Sequence, residues 1–302
     1  MRQDVLALDI GGTKISAALV DPAGRLSHGA VRATPHGDAE ALWAVVAEVV
    51  ALTRAAAGPV SAVGVGSAGP VDIPAGTVSP INITAWTNFP VVDRLTELTG
   101  LPVRLGGDGL CMALGESWRG AGRGAAFMLG MVVSTGIGGG LVLDGAPYHG
   151  RTGNAGHVGH VVVDPGGAAC TCGGRGCVET VASGPHLAGW ARAHGWSAPE
   201  GAGARELAAD ARRGDEVAQT AFRRGADALA ATIASVAAVC DLDLVVVGGG
   251  VAKSGEVLFA PLLDSLAGYA GLDFIRGLRV VPAELGGDAG LVGAAALAHR
   301  AR

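Results

Sequence analysis

Short apolar segments that end in glycine alternate along this chain with longer segments of helical periodicity. Residues 5–9 and 15–20 are apolar and flank the pair Gly11 and Gly12, which predicts a β-hairpin at the start. The periodic segments predict helices at 40–57, 89–98 and 110–118, and apolar runs predict strands at 62–66 and 103–105. Strands that alternate with helices in this way are typical of an α/β fold.

The second part of the chain repeats the design of the first. LALDIGGTKISAALVD at 6–21 and GMVVSTGIGGGLVLDG at 130–145 each hold a strand, a small polar residue, glycines and a returning strand. In the second copy these are a strand at 127–134, a glycine loop at 136–140 and a strand at 141–143. A repeat at this separation indicates duplicated domains rather than a solenoid. We therefore expect two similar α/β lobes that face each other across a cleft.

The remaining segments complete the two lobes. They predict helices near 184–195, 204–213, 216–239, 255–267 and 289–300, with strands near 244–247 and 278–282. The predicted first lobe covers residues 1–118 and is joined by the C-terminal helix at about 290–302. The predicted second lobe covers residues 119–289.

Composition and charge narrow the range of functions. A chain of 302 residues exceeds the size at which one core usually suffices, and 49% hydrophobic with 16% charged residues is typical of a globular protein. The net charge of −5 argues against a broad electrostatic grip on nucleic acid. The early first strand leaves no room for a signal peptide, and the longest apolar run, 228–240, is too short to span a bilayer. We expect a cytoplasmic protein without nucleic-acid or membrane partners, whose five cysteines are reduced or metal-bound.

Three glycine clusters follow predicted strands and predict a nucleotide site. Small residues at a strand end let backbone N–H groups converge on phosphate oxygens. In the first cluster Thr13 offers a hydroxyl, Lys14 a cation and Asp9 a carboxylate for Mg²⁺, through water. The third cluster, Gly248 to Gly250, is suited to lie beneath a purine. The predicted nucleotide-binding residues are Asp9, Gly11, Gly12, Thr13, Lys14, Ser134, Thr135, Gly136, Gly138, Gly248, Gly249 and Gly250.

A fourth glycine segment matches the dinucleotide fingerprint but lacks its context. Residues 64–69 read GVGSAG and follow a predicted strand. That fingerprint needs a helix to begin on the loop, so that the helix dipole meets the pyrophosphate. Pro70, Asp72, Pro74 and Gly76 follow instead, which predicts a hairpin or loop. We interpret the match as accidental for NAD and assign the loop to a sugar pocket.

A cluster of cysteine and histidine residues predicts a structural zinc site. Cys170, Cys172 and Cys177 fall within eight residues, and His157 and His160 lie upstream. Three thiolates and one imidazole provide the four ligands of a closed tetrahedral Zn²⁺ site. One histidine completes the shell, so His157 and His160 are not both required.

Asp108 is the candidate catalytic base, but its position also suits an ordinary helix cap. Phosphoryl transfer to an alcohol needs an acceptor for the hydroxyl proton. Asp108 lies at a predicted strand end, directly before a helix, where Asp also serves as an ordinary N-terminal cap. The spacing alone does not separate the two roles.

DIGGTK at 9–14, STGIGGG at 134–140 and GHVVVDPGGAACTCGGRGCVE at 159–179 together resemble the repressor–ORF–kinase (ROK) family of sugar kinases. The resemblance runs over essentially the whole chain. It implies an actin-like (ribonuclease H-like) two-lobed fold with an interlobe cleft, ATP and Mg²⁺ in that cleft, structural Zn²⁺, and dimers or tetramers. The implied reaction is ATP-dependent phosphorylation of a hexose or hexosamine hydroxyl, with O6 as the family expectation.

The same resemblance assigns residue roles. Asp108 matches the catalytic base, and the zinc ligands match His160, Cys170, Cys172 and Cys177. Zinc would then orient His160 so that its other nitrogen meets a sugar hydroxyl. The implied sugar-binding residues are Gly69, Asn82, Gly107, Asp108, His157, His160 and Glu179.

Two departures from the family pattern leave the sugar open. Gly107 stands where the family typically has Asn, and losing a partner for a sugar hydroxyl is expected to weaken binding by about 1–3 kcal/mol. His157 replaces a carboxylate, as in kinases similar to N-acetylmannosamine kinase, whereas residues 82–90 resemble glucokinase-type members. A sugar-binding protein without catalysis and a regulatory member without a DNA-binding domain are the alternatives. A generic actin-like ATPase leaves the zinc element and Glu179 unexplained.

Overall fold

Two five-stranded sheets contain the strands that the apolar runs predict. The computed structural model describes residues 3–56 and 58–300. The predicted helix end at Ala57, the first two residues of the predicted first lobe and residues 301–302 of the predicted C-terminal helix lie outside this range. Within it, no helix combines the length and the apolar character needed to cross a membrane.

The described chain folds into two compact units. The first holds the residues up to Gly124, residues 140–156 and those from Glu284 onward, and the second holds residues 125–139 and 157–283. Residues 140–156, which the predicted lobe limits assign to the second lobe, thus belong to the first unit. The C-terminal segment, which the prediction joins to the first lobe, lies in the first unit.

The first unit is built on a sheet of strand order β3-β2-β1-β4-β7. The predicted hairpin is present, because β1 and β2 are antiparallel, while β1, β4 and β7 are parallel neighbours. The strands are β1 Asp4–Ile10, β2 Lys14–Val20, β3 Leu26–Ala33, β4 Val60–Ser67, β5 Val71–Asp72, β6 Thr77–Val78 and β7 Val103–Gly107. The helices are α1 Ala39–Ala55, α2 Val91–Thr99, α3 Asp108–Arg119 and α10 Ala289–Arg300.

The second sheet has strand order β10-β9-β8-β11-β12. Its strands are β8 Met128–Val133, β9 Ile137–Leu143, β10 Ala146–Tyr148, β11 Leu244–Gly248 and β12 Arg279–Pro282. The helices of the second unit are α4 Glu179–Ala182, α5 Gly184–Ala193, α6 Ala204–Arg212, α7 Glu216–Cys240, α8 Glu256–Tyr269 and α9 Asp273–Arg276. The apolar run at 228–240 lies in α7, which matches its predicted helix.

One part of the predicted repeat is wrong in detail. The predicted loop covers residues 136–140, but residues 137–140 belong to β9, which begins at Ile137. A Cβ on Gly140 would lie 2.3 Å from the Cα of Leu110. This strand therefore uses glycine so that it can run against the first turn of α3.

Glycine also explains the accidental dinucleotide match at 64–69. No helix begins there, because β4 continues to Ser67 and the short hairpin of β5 and β6 follows. A Cβ on Gly64 would lie 1.9 Å from the carbonyl oxygen of Ala294, and one on Gly293 would lie 1.6 Å from that of Cys111. Backbone contact of α10 with β4 and α3 thus requires these glycines.

The fully buried Glu116 carboxylate holds two distant segments of the first unit together. It lies in α3, and its side chain accepts three backbone N–H bonds. The donors are Ala121 at 2.9 Å, Glu284 at 3.1 Å and Leu285 at 2.8 Å. Because only the 3-10 turn Gly286–Asp288 separates Leu285 from α10, this carboxylate fixes the segment that leads into the C-terminal helix.

We expect Glu116→Ala to destabilise the protein by about 3 kcal/mol, because it removes the acceptor of three N–H groups. The melting temperature should fall by several degrees, as measured by differential scanning calorimetry. Glu97→Ala is the matched control, since Glu97 is exposed on α2, and should leave the melting temperature nearly unchanged. Equal melting temperatures for the two variants would contradict this role of Glu116.

Candidate active site

The carboxyl ends of three parallel strands bring two predicted carboxylates to one edge of the first sheet. In the register of β1, β4 and β7, Asp9 pairs with Gly66, and Gly66 pairs with Gly106. Asp108 follows β7 directly as the first residue of α3. Two inter-strand spacings separate β1 from β7, or about 10 Å at the backbone. The fold thus places Asp9 and Asp108 along the same edge.

The two carboxylates affect each other electrostatically. The pKa of Asp9 is raised to about 6, first by burial and then by the negative charge of Asp108, while the positive charge of Lys14 opposes the shift. Like charges held at one edge of a partly dehydrated site favour the binding of a cation there. Oxygen ligands of this kind suit Mg²⁺.

The first glycine turn is fixed by a residue that the sequence analysis does not single out. Thr34 donates its hydroxyl to the carbonyl of Gly11 at 2.6 Å, and its backbone N–H donates to the carbonyl of Thr13 at 3.0 Å. These bonds hold the turn between β1 and β2 while Thr13 and Lys14 stay exposed. Thr34 directly follows β3, an exposed edge strand that the apolar pattern does not predict, so no sequence signal identified it.

Asn82 and the loop after β4 lie close to this turn. A Cβ on Gly12 would lie 2.6 Å from the amide nitrogen of Asn82, so the two residues are in contact. Gly69 follows β4, and its carbonyl accepts the N–H of Ile81 at 3.1 Å. Asn82 and Gly69 therefore belong to the same edge of the first unit as Asp9.

Asn154 is a further residue that the sequence analysis missed. Its side chain accepts the N–H of Val71 at 2.9 Å and donates to the carbonyl of Val71 at 2.7 Å. An amide that pairs with one backbone unit in both directions acts like a neighbouring strand. It fixes the segment after Gly69 to residues 140–156.

Asp108 is an exposed residue at the start of a helix. Gly107 is the N-cap of α3, and Asp108 stands in the first turn, where its Oδ1 accepts the N–H of Gly109 at 2.7 Å. Gly107 has an ordinary extended backbone, and a Cβ built on it meets no atom within 4 Å. The space before Asp108 is thus open for a larger side chain or for a ligand.

The four predicted zinc ligands converge in the second unit. Their ligand atoms all lie within 4.8 Å of one another. The sulfur of Cys170 lies 3.8 Å from Nδ1 of His160, and the sulfurs of Cys172 and Cys177 are 3.8 Å apart. Tetrahedral Zn–S bonds of about 2.3 Å require sulfurs about 3.8 Å apart. This donor set and spacing fit Zn²⁺, and His160 faces the cluster with Nδ1.

His157 takes a different position from His160. It is exposed, precedes the 3-10 turn Val158–His160, and its ring centroid lies 6.4 Å from that of His160. It is not one of the four converging ligands. Of the two histidines left open by spacing, the geometry therefore selects His160 for the metal cluster.

Glu179 connects the zinc element to the second glycine loop. Its Oε2 accepts the N–H of Ile137 at 2.7 Å, and a Cβ on Gly136 would lie 2.8 Å from the same oxygen. Glu179 begins α4 two residues after Cys177. A residue predicted to face the sugar thus also holds the loop predicted to face phosphate.

The remaining predicted nucleotide residues divide between a cavity and the packed interior. A cavity of about 690 Å³ is lined by Ser134, Thr135 and Gly250, among others. Gly248 instead ends the buried strand β11. Gly249 has φ +96°, and a Cβ there would lie 2.4 Å from the carbonyl oxygen of Val133. Gly248 and Gly249 shape the turn, while Gly250 reaches the cavity.

Comparisons with known proteins agree with this arrangement. The sequence model of the ROK family matches residues 5–301. The chain is 35% identical to a glucokinase of Thermotoga maritima over 97% of this chain and 96% of that protein. It is 36% identical to an N-acetylmannosamine kinase of Yersinia pseudotuberculosis, with 96% of both chains covered.

A solved structure shares the fold over the same length. The ROK family glucokinase from Streptomyces griseus, in complex with glucose and AMPPNP, superposes with a TM-score of 0.85 and 36% identity. The match covers 98% of this chain and 99% of that one. These findings confirm the predicted resemblance, the actin-like α/β fold class and the predicted enzyme class, a sugar kinase. The chain belongs to the ROK family.

Proposed function

We propose that this protein transfers the γ-phosphoryl group of ATP to a hydroxyl group of a hexose or hexosamine, with O6 as the expected acceptor. The single observation that carries the proposal is the carboxylate of Asp108, exposed at the first turn of α3 on the sheet edge that also bears Asp9. Relatives named glucokinase and N-acetylmannosamine kinase, which align with nearly the whole chain, support the same reaction.

Asp108 acts as the general base in this proposal. Its Oδ1 is oriented by the Gly109 N–H, and the exposed carboxylate is placed to accept a hydroxyl proton. Removing that proton increases the nucleophilicity of the sugar oxygen toward the phosphorus atom. A positioned base contributes about 10²–10⁴-fold to the rate of such a step.

We assign residues to ATP and Mg²⁺ from the chemical groups that they offer. The cavity lined by Ser134, Thr135 and Gly250 has a volume suited to a small organic ligand. We assign this cavity to ATP. Thr13 and Lys14, in the first unit, are assigned to phosphate from the hydroxyl and the cation that they offer. Bound Mg²⁺ would neutralise charge on the phosphates, and Asp9 would hold it through water.

Zinc has a structural role in the proposal. His160, Cys170, Cys172 and Cys177 would hold it as a closed set of four ligands. Because Nδ1 of His160 faces the sulfurs, Nε2 is directed elsewhere, and we assign it to a sugar hydroxyl. Asn82, Gly69, Gly107, His157 and Glu179 are the further residues that we assign to the sugar.

We also propose that the protein forms a homo-oligomer and is located in the cytoplasm. Large apolar side chains are exposed along α7, α8 and α9, which supports a homodimer or a tetramer. They are Val239, Leu263, Tyr269, Leu272 and Phe274. The free thiols of the described cysteines support a reducing, cytoplasmic location.

Asp108→Asn is expected to lower kcat at least 100-fold, because an amide cannot accept the hydroxyl proton. It should leave ATP affinity and the melting temperature unchanged, since the amide oxygen can still accept the Gly109 N–H. A coupled assay with ATP and a panel of glucose, mannose, fructose, N-acetylglucosamine and N-acetylmannosamine measures the effect.

Asp215→Asn is the control for this variant. Asp215 also holds a backbone N–H at a helix start, that of Ala218 at 2.8 Å, but in α7. The Asp215→Asn variant should retain wild-type turnover. Near-native turnover by the Asp108 variant would disprove the mechanism, and wild-type inactivity on every sugar would favour a binding protein without catalysis.

Cys172→Ser is expected to release the metal, because a tetrahedral site loses one of four ligands, and to raise KM for the sugar as His160 loses its orientation. Zinc per chain is measured by plasma mass spectrometry on protein purified without chelator. Cys240→Ser, at the end of α7, should keep the metal. Unchanged zinc content and sugar KM in the Cys172 variant would argue against the site.

Gly107→Asn is expected to change the order of preference among the sugars while KM for ATP stays within about twofold. The open space at residue 107 accommodates the side chain, whose amide can bond a sugar hydroxyl. Gly277→Asn is the control, since a Cβ at this exposed residue likewise meets no atom within 4 Å. Equal changes in sugar and ATP parameters would mean that residue 107 does not line the sugar pocket.

A further inference from the structure

A second cavity, which none of the roles above uses, lies within the first unit. Its volume is about 650 Å³, within the usual range for small-molecule sites. It is lined by Ile73, Val92, Val103, Arg104, Leu105, Gly145, Ala146, Pro147, His149, Leu297 and Arg300. None of these residues belongs to the proposed sugar, nucleotide or zinc sets.

The cavity opens at the edges of two strands. Three consecutive residues of β7, 103–105, line it, so the strand presents its backbone edge as well as its side chains. β7 is the last strand of its sheet, and β10, which supplies Ala146 and Pro147, is the last strand of the other. An edge strand has backbone N–H and C=O groups that its own sheet does not pair. Such an edge offers hydrogen bonds to a ligand.

The floor is apolar, whereas the charged groups are all cationic. Val103, Leu105 and Leu297 are buried side chains of this floor. Arg104 is exposed, and its guanidinium has no ion pair or hydrogen bond among residues 3–56 and 58–300. Arg300 donates to the carbonyl of Gly145 at 2.8 Å, which fixes the second guanidinium. No carboxylate is present among the described lining residues.

His149 adds an unsatisfied polar atom. Its Nδ1 is buried and has no hydrogen-bond partner among the described residues. Burial lowers the pKa of His149, so its imidazole is neutral near neutral pH and can donate or accept one bond. A buried polar atom without a partner is rare and indicates a missing ligand or water.

We propose that this cavity binds a small organic anion, a carboxylate attached to a compact apolar body. The two guanidinium groups pair with the carboxylate, since Arg matches its planar shape. The apolar floor takes the body, and His149 supplies an additional hydrogen bond. The ligand would contact β7 at residues 103–105, and Asp108 follows the end of the same strand.

The probe for this site is 4-fluorobenzoate, and its binding to the full-length protein is measured by ¹⁹F NMR titration. Two comparison probes separate the contributions: 4-fluorobenzamide has the same body without charge, and inorganic phosphate has charge without an apolar body. We expect saturable binding of the benzoate, at least tenfold weaker binding of the benzamide, and no displacement of the benzoate by equimolar phosphate.

Arg104→Gln is the decisive variant, because this side chain makes no contact that the fold requires. It should weaken benzoate binding at least tenfold while sugar phosphorylation stays unchanged. Arg279→Gln is the matched control, since Arg279 is also exposed on a parallel edge strand, β12, and should bind as the wild type does.

Three outcomes would overturn the proposal. They are absence of saturable benzoate binding, equal affinity for benzoate and benzamide, and wild-type affinity in the Arg104 variant. The last would mean that the anion binds elsewhere, for example at the residues assigned to ATP.

Discussion

Two like charges at one sheet edge are the constraint on which the first unit's chemistry depends. Parallel pairing of β1, β4 and β7 brings the carboxyl ends of these strands to one edge of the sheet. The positions of Asp9 and Asp108 are a consequence of that pairing. Burial, together with the negative charge of Asp108, raises the pKa of Asp9 to about 6. A site that holds carboxylates in this way is stabilised by a cation, so the proposed binding of Mg²⁺ would depend on the geometry of the proposed base.

The packing that creates this edge depends on residues without side chains. Gly64 and Gly293 allow α10 to lie in backbone contact with β4 and α3. α3 in turn begins with Asp108, so the position of the carboxylate depends on how closely this helix approaches the sheet. The buried carboxylate of Glu116, in the same helix, ties it to the segment that leads into α10. Close packing and the candidate chemistry therefore share the same elements.

Local patterns were enough to predict much of the fold. The hairpin of β1 and β2, the longer helices of both units and the convergence of three cysteines with one of two nearby histidines all follow from periodicity and short-range spacing. Contacts between residues far apart in sequence were not predictable in the same way. Thr34 holds the turn at Gly11 from 23 residues away, and Glu116 meets Leu285 from 169 residues away. No local pattern indicates such a partner, because only the folded chain brings the two segments together.

The glycine at residue 138 illustrates a related limit. A run of glycines after a small polar residue has the composition of a phosphate loop, yet residues 138–140 form part of β9. Glycine permits both a tight turn and a close strand contact, and composition alone does not separate the two. The same ambiguity produced the dinucleotide match at 64–69, where close packing is again the reason for glycine.

In the second unit, one short segment connects residues that we propose for the metal, the sugar and the phosphate. Cys177 is a candidate zinc ligand, and Glu179, two residues later, holds the N–H of Ile137 beside Gly136. Any shift of the zinc element would therefore move a carboxylate that supports the glycine loop. This connection gives a structural reason for the proposed zinc, which would take no part in the chemistry. Bound zinc would order a carboxylate and an imidazole whose positions must stay fixed while substrates enter and leave.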